Sequence, residues 1–264
     1  MRQEKSLKIK DFIAIVNSMY PNVNKEIWDP SGYSVKTVQS KRFKGAVLAI
    51  DLTMDVLQEA IANDCNVILT HHPFKFEATW LAEDKKAPYK REILNLLRKH
   101  QITAYSMHTN YDCDPYGTSY QIVKYMGLEA SMDWDKTQTF SAVFKANKSL
   151  LELKKLLEDK MHLSAFRTNV PADKYNDKYA TVAILSGSGY IGQINDLASQ
   201  VDLIISSDFR WSDWIVFDQM KTNILEVPHL DEQVYAWHMY EILTGMLPEY
   251  KFVLKDIEEP YHNL

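Results

Sequence analysis

Histidine and aspartate side chains follow three apolar runs of this 264-residue chain, at the points where the runs end. The runs occupy 66–70, 102–107 and 223–227. The side chains that follow them are His71, His72, His108, Asp112 and His229. Neutral imidazole is a ligand for Zn, Mn, Fe, Co or Ni, and one carboxylate has two oxygens to share between two ions. These residue types therefore indicate a divalent-metal site.

The elements that must position these side chains are predicted from the alternation of apolar runs and amphipathic segments. Strands are expected at 46–50, 66–70 and 102–107, with a helix capped by Thr53 and a second helix at 90–100. This β-α-β-α-β order predicts a parallel sheet with covering helices. Ligands of such sheets bind outside the carboxyl ends of the strands, so separate segments can deliver His and Asp to one edge of the fold.

An initial helix is expected at 7–19, before the first strand. A strand at 139–146, a helix at 149–160 capped by Ser149, and a loop at 164–180 lie between the two halves of the chain. The alternation of strands and helices then returns. The later elements are strands at 181–185, 201–206 and 223–227 and helices at 190–200, 211–220 and 231–243. The sequence thus predicts a two-lobed α/β protein with mostly parallel sheets and covering helices. We expect a single compact unit over 1–264, with a lobe 1–130 that carries the HHP and HTNYD motifs and a lobe 131–264 that carries the GSG, SSD and late His motifs.

The adjacent pair His71-His72 needs a bend at the strand end, because neighbouring residues of an extended strand point to opposite faces. Pro73 favours such a bend by restricting the residue before it. With that bend each imidazole could serve a different ion, and Asp112 could bridge the two ions. A strand-end cap is the alternative for the pair. His108 could orient Asp112 from outside the ligand shell, or form a local turn with it.

Other candidates have structural alternatives. Cys113 could be a ligand or a core residue. The Gly187–Gly189 turn could cradle an anion at a helix N-terminus, or be a plain strand–helix turn. Asp208 with Arg210 could face the site or cap the next helix. Core or subunit contact is expected for the aromatic residues Trp211, Trp214 and Phe217. Surface or partly buried positions are expected for His100, His162, His238 and His262.

Composition excludes several classes of function. The net charge is −5 and no basic aromatic stripe occurs, so nucleic acid is not the expected main partner. Two cysteines support neither a disulfide scaffold nor a thiolate zinc site, and they fit a reducing cytoplasm. Asp11 interrupts the apolar stretch that follows the charged segment 1–10, so no signal peptide is expected. No run reaches the roughly 18 apolar residues of a membrane helix.

Several motifs together resemble one family. They are DLTMDVLQEAIANDCNVILTHHPFKF at 51–76, SMHTNYD at 106–112, the His after the late strand, WDPSG at 28–32, and the GSG and SSD segments. The chain resembles the family known as GTP cyclohydrolase 1 type 2, or Ngg-one-interacting factor three-like. The likeness covers nearly the whole chain, in the family's short form without an inserted middle domain.

The resemblance implies a toroidal homohexamer with dinuclear metal sites that face an inner cavity. The implied ligands are His71, His72, Asp112 and His229, with a fifth ligand four residues after the last His. That position holds Gln233, whose neutral amide is a poorer ligand than a carboxylate, and a local register shift could present Glu232 instead. Further departures from the family pattern are Pro228 before the last His, SSD in place of TGD, and Pro30 in the WDPSG element.

The sequence is compatible with three functions. The first is a metal-dependent hydrolase that acts on a nucleotide or a phosphoester, with two divalent ions of unidentified metal and His108 as a proton-transferring or orienting residue. Metal ions can make water a nucleophile near neutral pH, and the family's name suggests the purine ring of GTP as the target. The second is a non-enzymatic metal carrier or assembly scaffold. The third is a protein whose histidines are only structural, with a melting temperature that added metal does not change.

Overall fold

A computed structural model describes residues 6–261, so residues 1–5 and 262–264, which include His262, lie outside the described part. The chain divides into two compact units. Of the described residues, the first unit comprises those up to Cys113 together with Tyr235–Ile257, and the second comprises Asp114–Val234 with those from Glu258 onward. The expected behaviour as a single compact unit with a lobe boundary near residue 130 stays a prediction.

The first unit is built on a five-stranded sheet in the order β1-β4-β3-β2-β10. Its strands are β1 (Gly32–Val35), β2 (Gly45–Ala49), β3 (Val67–Thr70), β4 (Thr103–Ser106) and β10 (Lys251–Leu254). The strands β10, β2, β3 and β4 are mutually parallel, and β1 is antiparallel to β4. The predicted parallel core is confirmed. The edge strands β1 and β10 were not predicted, because β1 has no apolar run and the run in β10 has only three residues, 252–254.

Helices cover both faces of this sheet. They are α1 (Ile9–Met19), α2 (Met54–Ala62), α3 (Trp80–Lys86), α4 (Lys90–His100), α5 (Thr109–Asp112) and α10 (Val234–Met246). Leu48 and Leu69 pack in a core cluster with side chains of α1 and α10, whereas Val47 and Ile68 pack in another with side chains of α2 and α4. This is the alternation of a strand buried on both faces. Full burial of each such side chain stabilises the fold by about 1.5–3 kcal/mol.

The second unit has a five-stranded sheet in the order β5-β7-β8-β9-β6. Its strands are β5 (Ser141–Ser149), β6 (Arg167–Thr168), β7 (Lys178–Leu185), β8 (Leu203–Ser206) and β9 (Ile224–Glu226). Its helices are α6 (Thr118–Tyr125), α7 (Leu150–Met161), α8 (Ile191–Leu197) and α9 (Trp211–Met220). The α/β class is confirmed, but this sheet is mixed rather than mostly parallel, because β5 and β6 run antiparallel to their neighbours.

Local signals placed several element ends correctly. The Thr53 side chain accepts the Val56 N–H at 3.3 Å and begins α2. Ser149 and Glu152 form the reciprocal cap of α7, in which the Ser149 hydroxyl accepts the Glu152 N–H at 3.3 Å. The predicted loop at 164–180 is wrong in part, because it contains the two-residue strand β6, which is too short to produce a pattern, and the first three residues of β7.

The predicted final helix at 231–243 begins later than expected. A 3-10 turn at His229–Gln233 precedes α10. Pro228, with an extended backbone, stands directly before this turn. This difference matters for the candidate site residues of the turn, because a 3-10 turn orients its side chains differently from an α-helix.

In the described residues, none of the helices has both the length and the apolar character that a membrane span needs. Both cysteines carry free thiols, with Cys65 buried and Cys113 partly buried.

Candidate metal centre

The chain bends at His71 and His72, immediately after β3, as Pro73 predicts. The N–H groups of the two histidines donate to the carbonyls of Ala49 and Ile50 at 3.3 and 3.0 Å. The pairing of β3 with β2 therefore continues past the end of β3. The Thr70 hydroxyl donates to the His72 carbonyl at 2.8 Å and closes the bend. The two imidazole centroids lie 5.0 Å apart.

The tautomer of His71 follows from its neighbours. Its Nδ1 lies 3.0 Å from the Met107 carbonyl, which can only accept, so Nδ1 carries the proton and Nε2 keeps its lone pair. That Nε2 lies 3.5 Å from Oδ1 of Asp112, and the His71 side chain is fully buried. Two ligand atoms at about 2.1 Å from one ion stand about 3.0–3.5 Å apart, so this pair has the spacing of two ligands of one ion.

His72 is oriented in the same way by Asp51, which lies outside the predicted set of site residues. Its Nδ1 lies 3.0 Å from Oδ1 of Asp51, which follows β2. A carboxylate accepts this hydrogen bond, so Nε2 of His72 is the atom left for a metal. The signal that could have found Asp51 is its position at the carboxyl end of the strand adjacent to β3.

His108 joins this group. Ligand atoms of His71, His72 and His108 all lie within 4.8 Å of one another. Nδ1 of His108 lies 3.3 Å from Oδ1 of the buried Asp29. The contact of His108 with Asp112 is through the backbone, because the His108 carbonyl accepts the Asp112 N–H at 3.1 Å.

Asp29 was visible in the sequence only as part of the WDPSG element. It accepts the N–H groups of Ser31 at 2.8 Å and Thr109 at 3.0 Å. Burial raises the pKa of Asp29, but the hydrogen bonds from His108, Thr109 and Ser31 outweigh it and hold the pKa far below its usual range. Asp29 is therefore a fixed negative charge 3.3 Å from Nδ1 of His108.

In the second unit, His229 begins the 3-10 turn and meets a carboxylate on each side of its ring. Nε2 lies 2.9 Å from Oε2 of Glu232, and Nδ1 lies 2.7 Å from Oδ2 of Asp208. A 3-10 turn has three residues per turn, so residues i and i+3 eclipse. The turn therefore brings Glu232 over the His229 ring, whereas Gln233 is one position further around.

The charges around His229 favour a cation. Burial lowers the pKa of His229, but the charge of Glu232 and the hydrogen bond to Asp208 outweigh it and raise the pKa to about 12. Burial and the charge of Glu232 raise the pKa of Asp231 well above its usual range. Three carboxyl groups thus surround one imidazole, an environment that stabilises bound positive charge.

The Gly187–Gly189 turn faces the protein's own carboxyl groups. The Gly187 N–H donates to both carboxyl oxygens of Asp231 at 3.3 Å. Asp208, which the sequence left as a cap or a site residue, contacts His229, whereas the backbone N–H of Arg210 donates to Asp213 at 2.9 Å at the start of α9.

The remaining candidates have structural surroundings. Sγ of Cys113 lies 3.5 Å from the Asn110 carbonyl and 3.6 Å from the Asn24 carbonyl. His238 is partly buried, with Nδ1 2.7 Å from the Tyr111 hydroxyl. His100 and His162 are exposed. On α9, Phe217 is buried, Trp214 is partly buried against the same core cluster, and Trp211 is 81% exposed.

The donor groups suit a divalent ion. Imidazoles with their Nδ1 atoms held by a carbonyl or a carboxylate, beside carboxylate oxygens, are the ligands that Zn, Mn, Fe, Co and Ni take in proteins. The buried His, Asp and Glu groups can therefore hold a metal ion. An α/β fold with a candidate divalent-metal centre is the class that these observations define.

A model of the Duf34/NIF3 (NGG1p interacting factor 3) family matches residues 7–260, and the chain belongs to this family. It is 36% identical over 233 residues to a protein of Mycoplasmopsis pulmonis named GTP cyclohydrolase 1 type 2 homolog, covering 87% of this chain and 90% of that protein. A protein of Ureaplasma parvum with the same name is 26% identical over 249 residues, covering 90% of each.

Solved structures support the fold. A Bacillus cereus protein related to NIF3 superposes with a TM-score of 0.86 at 15% identity, covering 99% of this chain and 100% of that one. A Staphylococcus aureus hypothetical protein superposes with a TM-score of 0.83 at 21% identity, covering 98% and 100% of the two chains.

Proposed function

We propose that this chain is a divalent-metal-dependent hydrolase with two metal ions, which acts on a nucleotide or another phosphoester. The observation that carries the proposal is the convergence of His71, His72 and His108, whose ligand atoms lie within 4.8 Å of one another. The proposed ligands are His71, His72, Asp112, His229 and Glu232.

Two imidazole–carboxylate pairs support this ligand set. His71 lies 3.5 Å from Asp112 and His229 lies 2.9 Å from Glu232, and both separations suit two ligands of one ion. We assign the carboxylate ligand after the last histidine to Glu232 rather than Gln233, since the 3-10 turn stacks Glu232 on His229. Divalent ions bound here would supply Lewis-acid activation of water and of a phosphoryl or carbonyl oxygen.

The protein's own groups would orient the ligands and move a proton. Asp51 and the Met107 carbonyl hold Nδ1 of His72 and His71. We assign proton transfer to His108, because the buried Asp29 carboxylate lies 3.3 Å from Nδ1 and leaves Nε2 for a reacting group.

Two exposed rings flank His108. The Trp28 and Phe76 ring centroids lie 5.7 and 6.1 Å from the His108 centroid, both edge-on, and the two side chains are 65% and 44% exposed. They offer a small-molecule substrate an apolar surface beside the imidazoles. GTP is chosen as a test substrate because the two relatives described above are named GTP cyclohydrolase 1 type 2 homolog.

The test compares metal-loaded and chelator-treated protein on GTP and on a panel of phosphoesters. We expect turnover only with metal, and a loss of about 10²–10⁴-fold in kcat for His108→Ala with metal content retained. His100→Ala, at an exposed histidine, is the matched control and should keep full activity. Retained metal without turnover on any substrate would contradict the hydrolase and favour the metal-carrier function.

We also propose that the protein assembles as a homohexamer in the cytoplasm, as the family resemblance implies. Apolar side chains on α9 support an interface, because Trp211, Ile215 and Met220 are 81%, 48% and 64% exposed.

A further inference from the structure

We propose that Gly187 is a positioning residue, present because its missing side chain leaves the space that the Glu232 carboxylate occupies beside His229. This inference rests on the proposed function, in which Glu232 is a metal ligand. It assigns a role to the glycine turn that follows β7.

The contact leaves no room for a larger residue. A Cβ atom at position 187 would stand 2.2 Å from Oε1 and 2.5 Å from Cδ of Glu232, well inside van der Waals contact. The carboxylate is the mobile end of its side chain. A methyl group at this position would therefore displace the carboxylate first, and with it the oxygen that now lies 2.9 Å from Nε2 of His229.

The backbone of the turn is held in place independently of Glu232. The buried Ser206 hydroxyl donates to the Gly187 carbonyl at 3.0 Å and accepts the Gly189 N–H at 3.1 Å. The Ser207 N–H donates to the same Gly187 carbonyl at 2.9 Å. The turn cannot simply retreat from an added side chain, because doing so would break these buried hydrogen bonds.

A side chain is excluded at each of the two glycines of the turn, but by a different neighbouring residue. Gly189 makes room for the Ser206 hydroxyl, since a Cβ there would stand 2.4 Å from its Oγ. Gly187 makes room for Glu232 and donates its N–H to Asp231. The turn thus places two adjacent carboxyl groups of the protein, rather than an external anion, next to His229.

The experiment compares Gly187→Ala with Gly127→Ala. Both glycines have a left-handed backbone, with φ of +56° and +74°, but a Cβ at Gly127 meets no atom within 4 Å. The two substitutions therefore share a similar backbone cost and differ in the collision with Glu232. Affinity is measured with Co²⁺ and Zn²⁺ by competition with a chromophoric chelator, together with the visible spectrum of bound Co²⁺.

Gly187→Ala should weaken binding about 10–100-fold and change the Co²⁺ spectrum, as loss of a ligand-orienting residue does, while Gly127→Ala should bind like the wild type. In a Glu232→Ala background, Gly187→Ala should have no further effect on affinity. Wild-type affinity and spectrum in a folded Gly187→Ala variant would overturn the inference. An undiminished effect in the Glu232→Ala background would overturn it as well.

Melting temperatures keep the test separate from the proposed function. If the wild type binds no metal, the proposed function fails, but Gly187→Ala should still melt below Gly127→Ala, and the difference should vanish when Glu232→Ala is added to both. The same comparison applies if Gly187→Ala alone does not fold. A melting difference that survives the removal of the Glu232 carboxylate would show that Gly187 acts on another group.

Discussion

Nε2 of His229 lies 2.9 Å from Oε2 of Glu232, three residues further along a 3-10 turn. The family resemblance places a glutamate ligand four residues after this histidine, where the chain has Gln233. The shorter turn explains how the chain can keep a carboxylate at the site despite that difference, because three residues complete one turn of a 3-10 helix.

The first prediction concerns the identity of this ligand. Glu232→Gln should weaken Zn²⁺ or Mn²⁺ binding about 10–100-fold, since it replaces a charged ligand with a neutral one of the same shape. Gln233→Met, which removes the amide next to it, should retain the wild-type affinity. Isothermal titration of both variants measures the difference. The reverse order of effects would assign the ligand to Gln233.

The second prediction concerns the orientation of His72 by Asp51. Asp51→Ala removes the acceptor 3.0 Å from Nδ1 of His72 and frees the ring to change tautomer and rotate. We expect about a tenfold loss of metal affinity with little change in melting temperature, because the Asp51 side chain is 44% exposed. Asp64→Ala, at an 81% exposed carboxylate paired with Lys44, is the control. Equal affinities for the two variants would remove Asp51 from the site.

Much of the sheet edge that carries the candidate site in the first unit could be predicted from the sequence. The strands β3 and β4 and the histidines after them follow from apolar runs that end in polar residues, and the bend at His71-His72 follows from Pro73. These are local signals, since strand pattern and proline restriction act over a few residues.

The residues that were missed act over long separations. Asp51 meets His72 across 21 residues, and Asp29 meets Thr109 across 80 residues. Such contacts depend on strand order, which a single sequence pattern does not specify. The 3-10 turn was missed because its residues also fit the start of the helix that follows.

The third prediction concerns Glu83, which fixes the segment after the histidine pair. Its Oε2 accepts the N–H groups of Phe76 and Glu77 at 2.9 and 2.8 Å, and its Oε1 accepts a hydrogen bond from Lys90 at 2.6 Å. Burial raises the pKa of Glu83, but these hydrogen bonds outweigh it and lower the pKa below its usual range. The folded state therefore favours the charged form.

A carboxylate whose pKa falls on folding contributes stability above its unfolded pKa of about 4.3, and that stability is lost as the pH falls through the folded value. Glu83→Gln should lower the free energy of unfolding by about 2 kcal/mol at pH 7, and by less near pH 3. Urea unfolding at both pH values measures this. Glu77→Gln, which breaks the ion pair with the exposed Lys86, should leave the free energy of unfolding nearly unchanged. A pH-independent loss in Glu83→Gln would contradict the prediction.

The fourth prediction tests the proposed assembly. The wild type should elute as a particle with about six times the 30.7 kDa chain mass in size-exclusion chromatography with light scattering. Trp211→Glu/Ile215→Glu places charges on neighbouring exposed positions of α9, four residues apart, and should produce smaller species that remain folded. Leu151→Glu, at a 42% exposed position on α7, is the control. A monomeric wild type would contradict the hexamer.

Metal content tests the central claim most directly. Protein purified without an affinity tag or added metal is measured by elemental analysis, beside the variant His72→Ala/Asp112→Ala and the control His100→Ala. The proposed dinuclear centre predicts about two divalent ions per chain in the wild type and the control, and loss of both in the double variant. No bound metal in the wild type, even after incubation with Zn²⁺ or Mn²⁺, would contradict it and leave these histidines with a structural role.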